Sequence, residues 1–193
     1  MKKICGLTTL PITIKSFMLG NLNYMADNGY KAYAISQPGE VLQKEHLGKV
    51  QFLPLLIKHG NVSPLEVFKT IWKLYKVFKK EQFDIIQYAT SNAALYACIA
   101  GWMARIPVRI YCQWGISYTD YHGMYLWFYK LMEKVTCIFS TSVQPDSPSN
   151  LKFSIEEGLY EASKGHVLLN GSATGVDLTK YDYSMKKEWS KEI

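Results

Sequence analysis

DIIQYATSNAALYACIAGWMARIPVRIYC, residues 84–112, is the stretch whose reading decides the fold. Its first five residues, DIIQY (84–88), are short, apolar and β-branched at Ile85 and Ile86, as a strand requires. Residues 92–104, built around AALYACIAGWMA, read as a compact helix of small residues, and PVRIYC (107–112) reads as the next strand. A strand, a helix and a second strand at this spacing form a crossover unit, whose two strands must lie parallel. The same alternation extends in both directions. Upstream, KICGLT (3–8) predicts a strand, 14–28 a helix ending before Gly29, and KAYAIS (31–36) a strand stopped by Gln-Pro-Gly. A short strand over 50–53 and a helix over about 64–80 complete that half. Downstream, the pattern predicts a helix over about 120–134, a strand over 135–140 (VTCIFS), a helix over 150–161 and a last strand over 166–169 (HVLL). The strands are apolar on both alternations, so the expected fold is a Rossmann-like α/β domain, a parallel sheet with helices on both faces.

The chain of 193 residues is long enough to bury a full core as one such domain. Hydrophobic residues at 48% and charged residues at 20% exclude collagen-like, mucin-like and wholly disordered classes. Lys and Arg outnumber Asp and Glu by 22 to 16, and the resulting charge of +6 suits diphosphates, nucleic acid or an anionic membrane surface without requiring any of them. Cys5, Cys98, Cys112 and Cys137 are too widely spaced for a disulfide framework or a Cys-x-x-Cys zinc site, and read as buried free thiols. The basic start MKKICGLTTLPITIKSFMLG is interrupted by Pro11, Thr13 and Lys15, and apolar stretches such as 93–104 fall short of the roughly 18–20 residues of a spanning helix. A cytoplasmic chain that touches a membrane at most peripherally is expected.

In open α/β sheets, ligands collect at the carboxyl ends of the strands where the strand order reverses. That rule selects Thr8–Thr13, Ala89–Asn92, Gln113–Tyr118, Ser140–Ser142 and Asn170–Asp177, segments rich in hydroxyls, amides and glycine. They suit a carbohydrate or phosphate better than an apolar ligand. The first turn, LTTLPITIKS, lacks the GxGxxG and GxxxxGK[ST] glycines, which argues against dinucleotide binding and P-loop hydrolysis. Thr8, Thr9, Thr13 and Ser16 either orient a polar ligand at the helix N-terminus or, for Thr13 and Ser16, merely cap it. No GxSxG or HExxH occurs, and His46, His59, His122 and His166 are not at metal spacing from one another, so no metal site is expected. His166 reads as structural, and His122 as a general base only in the less favoured reading.

Two segments bear on partners. In LEVFKTIWKLYKVFKK (65–80), Val67, Ile71, Leu74 and Phe78 form an apolar stripe, flanked by Lys69, Lys73, Lys76 and Lys80 beside Trp72. This face is either solvated or laid on anionic lipid. YTDYHGMYLWFYKLMEK (118–134) holds more rings than one stripe needs, which suits core, lipid interface or sugar stacking. With only Lys130 and Lys134 among those rings, nucleic acid is not an expected partner. The string LLNGSATGVDLTKY (168–181) is the most specific in the chain: its glycines permit tight turns and close approach, and Asp177 can hold such a turn.

At that string the chain resembles the N-terminal domain of retaining glycosyltransferases of family 4, which have the GT-B fold. The resemblance also rests on KICGLTTLPITIKSFMLGNLNYMADNGYKAYAIS, on PLEVFKTIWKLYKVFKKEQFDIIQYATSNAALYACIAGWMARIPVRIYCQWG and on STSVQPDSP, in shared order over nearly the whole chain. It implies residues 1–178 as an acceptor-side domain and 179–193 as a linker or the start of an interdomain connection. It further implies a missing C-terminal donor-binding domain with an E-x7-E motif, so that the isolated chain is inactive. The resemblance also implies a nucleotide-diphosphate sugar as donor substrate, no cofactor, and as acceptor a polyprenyl-diphosphate-linked glycan of surface polysaccharide synthesis at the inner face of the membrane. By position, the family histidine after the strand at 107–112 falls within CQWGIS, where Trp114 takes its place, and the upstream family histidine is replaced within QYATSN. Gln113 and Trp114 are the expected catalytic positions, and Thr9, Thr13, Asn92, Gly115, Gly171 and Ser172 the acceptor- or donor-sugar contacts. The alternative is a non-catalytic single-domain carbohydrate- or partner-binding protein.

Overall fold

A computed structural model describes residues 1–42, 45, 47–58, 60, 62–175 and 182–191. Six strands, β1 (Lys3–Leu7), β2 (Lys31–Ser36), β3 (Gln51–Pro54), β4 (Ile85–Tyr88), β5 (Val108–Gln113) and β6 (Ser142–Pro145), form one sheet in the order β3-β2-β1-β4-β5-β6. Every pairing is parallel, with Ile4 opposite both Ala32 and Ile85. The order reverses between β1 and β4. This is the doubly wound sheet that the sequence predicts, and its two covered faces explain why residues 4–7 of β1 and 32–36 of β2 are buried on both alternations.

One face carries α1 (Pro11–Thr13), a π-helical turn (Ile14–Met18) and α2 (Leu19–Asp27), which run on as a single helical rod. Ile14, Met18, Leu19 and Leu22 pack there on Ile4, Ala32 and Ala34. The opposite face carries α3 (Pro64–Glu81), α4 (Ser91–Met103) and α5 (Gly123–Phe139), whose Leu74, Phe78, Ala93, Ala97 and Cys137 cover Cys5, Leu7, Ile35, Ile86 and Tyr111. Alternate strand residues thus serve opposite layers. α4 is composed of small residues because it lies close on the sheet: a Cβ at Gly101 would stand 2.5 Å from Ile86 Cδ1. α3 starts at Ser63, whose hydroxyl accepts from the Glu66 N–H, and ends at Gln82 in a left-handed conformation (φ 56°).

Two expectations are corrected. Residues 135–139 continue α5 instead of forming a strand, and β6 follows at Ser142. Val135 and Thr136 carry strand propensity, but Thr136 and Cys137 fall on the buried face of α5, and Thr136 Oγ1 donates to the Met132 carbonyl at 2.9 Å, so packing overrides propensity. The strand over 166–169 reduces to one bridge, Val143 to Gly165, with the His166 N–H on the Val143 carbonyl. Beyond it Leu169 turns left-handed (φ 50°) and lies exposed, so no ladder can propagate. The helix expected over 150–161 is α6 (Pro148–Glu156), capped by Ser147. Of residues 179–193, Tyr183–Met185 form a 3₁₀ turn and α7 (Lys186–Trp189) a short helix; Asp177, His46 and His59 lie outside the described residues.

All four cysteines are buried and free. Burial pushes every thiol up, Cys98 and Cys112 to about 12, so these are packing groups and not nucleophiles. Among the described residues no helix is long and apolar enough to cross a membrane.

Candidate functional site

One strand over from the reversal, the carboxyl ends of β4 and β5 enclose a cleft of about 320 Å³ lined by Thr90, Ser91, Tyr111, Cys112, Trp114, Gly115, Ile116 and Ser117. Thr90 precedes α4 and holds a positive φ of 66°, a strained conformation for a β-branched residue. Its hydroxyl is taken by the end of β1: the Thr9 N–H donates to Thr90 Oγ1 at 3.1 Å, and the two hydroxyls lie 2.8 Å apart. No side chain therefore caps α4, and its N-terminus, which attracts anions, stands at the cleft. Ser91 Oγ donates to Ser117 Oγ at 3.4 Å and so links the two walls.

Trp114 leaves β5 with its N–H on the Cys112 carbonyl and lies 5.1 Å from the Phe17 ring on the π-helical turn. Gly115 follows at φ 96° with open space around its α-carbon, which supplies the turn. Gly171 (φ 95°) and Ser172 reach the same carboxyl edge beside β6, where the Ser172 N–H donates to the Asp146 carbonyl. A Cβ at Gly171 would stand 2.5 Å from that carbonyl oxygen, so this close approach requires glycine. The Asp146 N–H in turn bonds the Gln113 carbonyl, which ties both glycine turns to one frame.

Gln113 does not present its side chain to the cleft. It is fully buried. Its Nε2 donates to Glu133 Oε1 at 2.7 Å, and its Oε1 accepts from Ser154 Oγ at 3.1 Å and Tyr160 OH at 3.0 Å. The cause is strand alternation: at the end of β5, Gln113 points into the α5–α6 layer, and Trp114 is the first residue free to turn outward. Glu133, on α5, also accepts from Tyr111 OH at 2.9 Å and 3.1 Å. Burial raises its carboxyl above the ordinary range, against the lowering effect of the Gln113 and Tyr111 hydrogen bonds.

Thr9 is buried beneath the cleft and acts through Thr90, while Thr13 lies half-buried on α1. Asn92 is turned the other way. Its Nδ2 donates to the carbonyls of Lys58 and Gly60 at 3.1 Å and 2.9 Å, at the end of a separate apolar groove between α3 and α5. His122 and His166 are both exposed. Of the segments selected from sequence, Ala89–Asn92 and Gln113–Tyr118 contribute to the cleft lining, but Thr90, Ser91 and Ser117 were not singled out. Hydroxyl residues immediately after an apolar strand were the available signal. Glu133 gave none beyond being an acid on the apolar side of a helix.

A doubly wound sheet with a hydroxyl-lined cleft at the carboxyl ends of β4 and β5 defines the class: a Rossmann-like half of the GT-B type. The fold superposes on a glycosyltransferase from Rickettsia africae with a TM-score of 0.70 over 99% of this chain and 49% of that one, at 14% identity. A family model described as glycosyl transferase 4-like matches residues 4–144, and the chain belongs to that family. It is 24% identical over 186 residues to the capsular polysaccharide biosynthesis glycosyltransferase CapM of Staphylococcus aureus, covering 96% of this chain and 48% of that protein. It is 27% identical over 143 residues to an Escherichia coli UDP-Gal:alpha-D-GlcNAc-diphosphoundecaprenol alpha-1,3-galactosyltransferase, covering 73% of this chain and 35% of the relative. The chain thus spans about half or less of the length of these curated relatives.

Proposed function

We propose that this chain is the acceptor-holding half of a retaining glycosyltransferase that moves a sugar from a nucleotide-diphosphate donor onto a lipid-linked glycan in surface polysaccharide synthesis. The observation that carries the reading is the family match over residues 4–144. The cleft agrees with it: hydroxyls at Thr90, Ser91 and Ser117 and the Trp114 ring suit a sugar, which offers both hydroxyl edges and an apolar face. Both curated relatives named above are sugar transferases, which disfavours the single-domain binding protein.

In this reading the acceptor hydroxyl oxygen bonds to the donor's anomeric carbon on the face from which the diphosphate leaves. The carbon–oxygen bond to phosphate breaks with its electron pair on the leaving group, and a phosphate oxygen takes the hydroxyl proton. No protein base is needed, consistent with Trp114 at the position where the family has a histidine. A second domain holds the diphosphate, and closure over Trp114-Gly115 and Gly171-Ser172 excludes water. Gln113 positions the Trp114 turn from beneath. The lysine flank of α3 gives peripheral contact with the anionic inner face of the membrane.

Calorimetric titration of the 193-residue chain tests the reading. A GlcNAc-diphosphate ester with a short alkyl chain is expected to bind, and UDP to bind far more weakly. Tight UDP binding without affinity for the ester would overturn it.

A further inference from the structure

α3 and α5 each pack on α4, and between them runs a groove of about 600 Å³ that the polar cleft does not use. Val67, Phe68 and Ile71 of α3, Leu95 of α4, and Phe128 and Met132 of α5 line it. Phe68 is 64% exposed, Phe128 50% and Leu131, on the same wall, 43%, an open apolar surface of a kind that marks a binding site. Its volume is that of a ligand pocket.

What it takes follows from where it ends. Asn92 and Gly60 close one end, and Ser91, one residue away in the first turn of α4, lines the hydroxyl-rich cleft. The groove and the cleft share no lining residue, but they lie on either side of the uncapped first turn of α4. A molecule that fills both is an amphiphile: an apolar chain joined to an anionic, sugar-bearing head. Leu95 and the buried Tyr96 lie along the groove between its α3 and α5 walls, and its volume suits a single chain.

We propose that the groove between α3 and α5 holds the first isoprene units of the acceptor's prenyl chain and delivers its diphosphate head to the cleft. The inference rests on the acceptor-half reading above and adds to it the place of the lipid. Lys69, Lys73 and Lys76, exposed along α3, keep this side of the domain against anionic headgroups while one chain leaves the bilayer for the groove.

The test is titration of the chain with methyl, geranyl and geranylgeranyl diphosphate below their micellar concentrations, without membranes. Affinity is expected to rise about tenfold or more from geranyl to geranylgeranyl as apolar surface is buried. Phe68→Asp and Leu131→Asp, both at exposed positions and checked for folding by thermal melting, should abolish that dependence on chain length. Trp127→Ser, at a 64% exposed ring outside the groove, should leave it intact. Affinity independent of chain length, or a length dependence that survives both groove variants or is lost in Trp127→Ser, would overturn the inference. If such a failure occurs while the full-length protein still transfers sugar to a prenyl-linked acceptor, the acceptor-half reading stands without the groove. If transfer to prenyl-linked acceptors also fails, both fall.

Discussion

Glu133 shows how much a single buried carboxyl controls at this site. Its hydrogen bonds come from two neutral donors, Tyr111 and Gln113, and through Gln113 it braces the turn that carries Trp114. Burial holds its carboxyl above the usual value of 4.5, so the native state favours the protonated form relative to the unfolded chain. That contribution is complete below about pH 4.5 and is lost as pH rises through the raised native value. Glu66 and Glu157, held low by hydrogen bonds from Lys58 and Lys130, contribute in the opposite sense, and theirs is lost as pH falls below their native values. Urea melts from pH 5 to 8 should therefore show a decline in stability that Glu133→Gln flattens. Glu133→Leu strands the Tyr111 hydroxyl and the Gln113 amide, at about 1–3 kcal/mol for each buried unsatisfied donor. An unchanged pH slope in Glu133→Gln would remove Glu133 from this role. The residue was not legible in advance: a glutamate in YKLMEK reads as solvated until α5 is docked with that side on β5.

The elements were read more fully than the residues. β1 through β5 and the helices between them were legible because each has one period, and the crossover at 84–112 fixed parallel pairing. The failures fell where local propensity and packing diverge. VTCIFS has strand composition yet completes α5, and HVLL has strand composition but leaves the sheet after one bridge. The aromatic segment at 118–134 divides as well: Tyr118 is buried in the core, whereas Tyr125, Trp127 and Phe128 remain exposed on α5. On α3, Trp72 stacks on Tyr75 with Lys76 Nζ 5.9 Å from its ring, an arrangement suited to a headgroup layer. Sedimentation with anionic vesicles should therefore retain the chain, and Lys69→Glu with Lys73→Glu should weaken binding by about 1 kcal/mol or more per site. Zwitterionic vesicles, or high salt, should abolish the difference. Binding that ignores both substitutions would place the membrane contact elsewhere.

At the scale of the whole molecule, the cleft and the two glycine turns share the carboxyl edge of the sheet, and the apolar groove lies in the helical layer of α3, α4 and α5. A partner domain closing on that edge would meet the cleft and both turns. The loops that line the cleft, after β4 and β5, were among those picked by the carboxyl-end rule, but which of their residues face it was not legible. Alternation at the end of β5 sends Gln113 inward and Trp114 outward, and Asn92 turns onto the Lys58 and Gly60 carbonyls once α4 is in place. The central claim is that these elements serve sugar transfer as one half of a larger enzyme. It is tested most directly by capturing the native protein from its source cells, measuring its mass and assaying it with nucleotide-sugar donors and a GlcNAc-diphosphate-lipid acceptor. The account predicts a product roughly twice this length, as the 48% coverage of CapM suggests, that transfers sugar with retention at the anomeric carbon. A native product of 193 residues without transferase activity, or transfer with inversion, would contradict it.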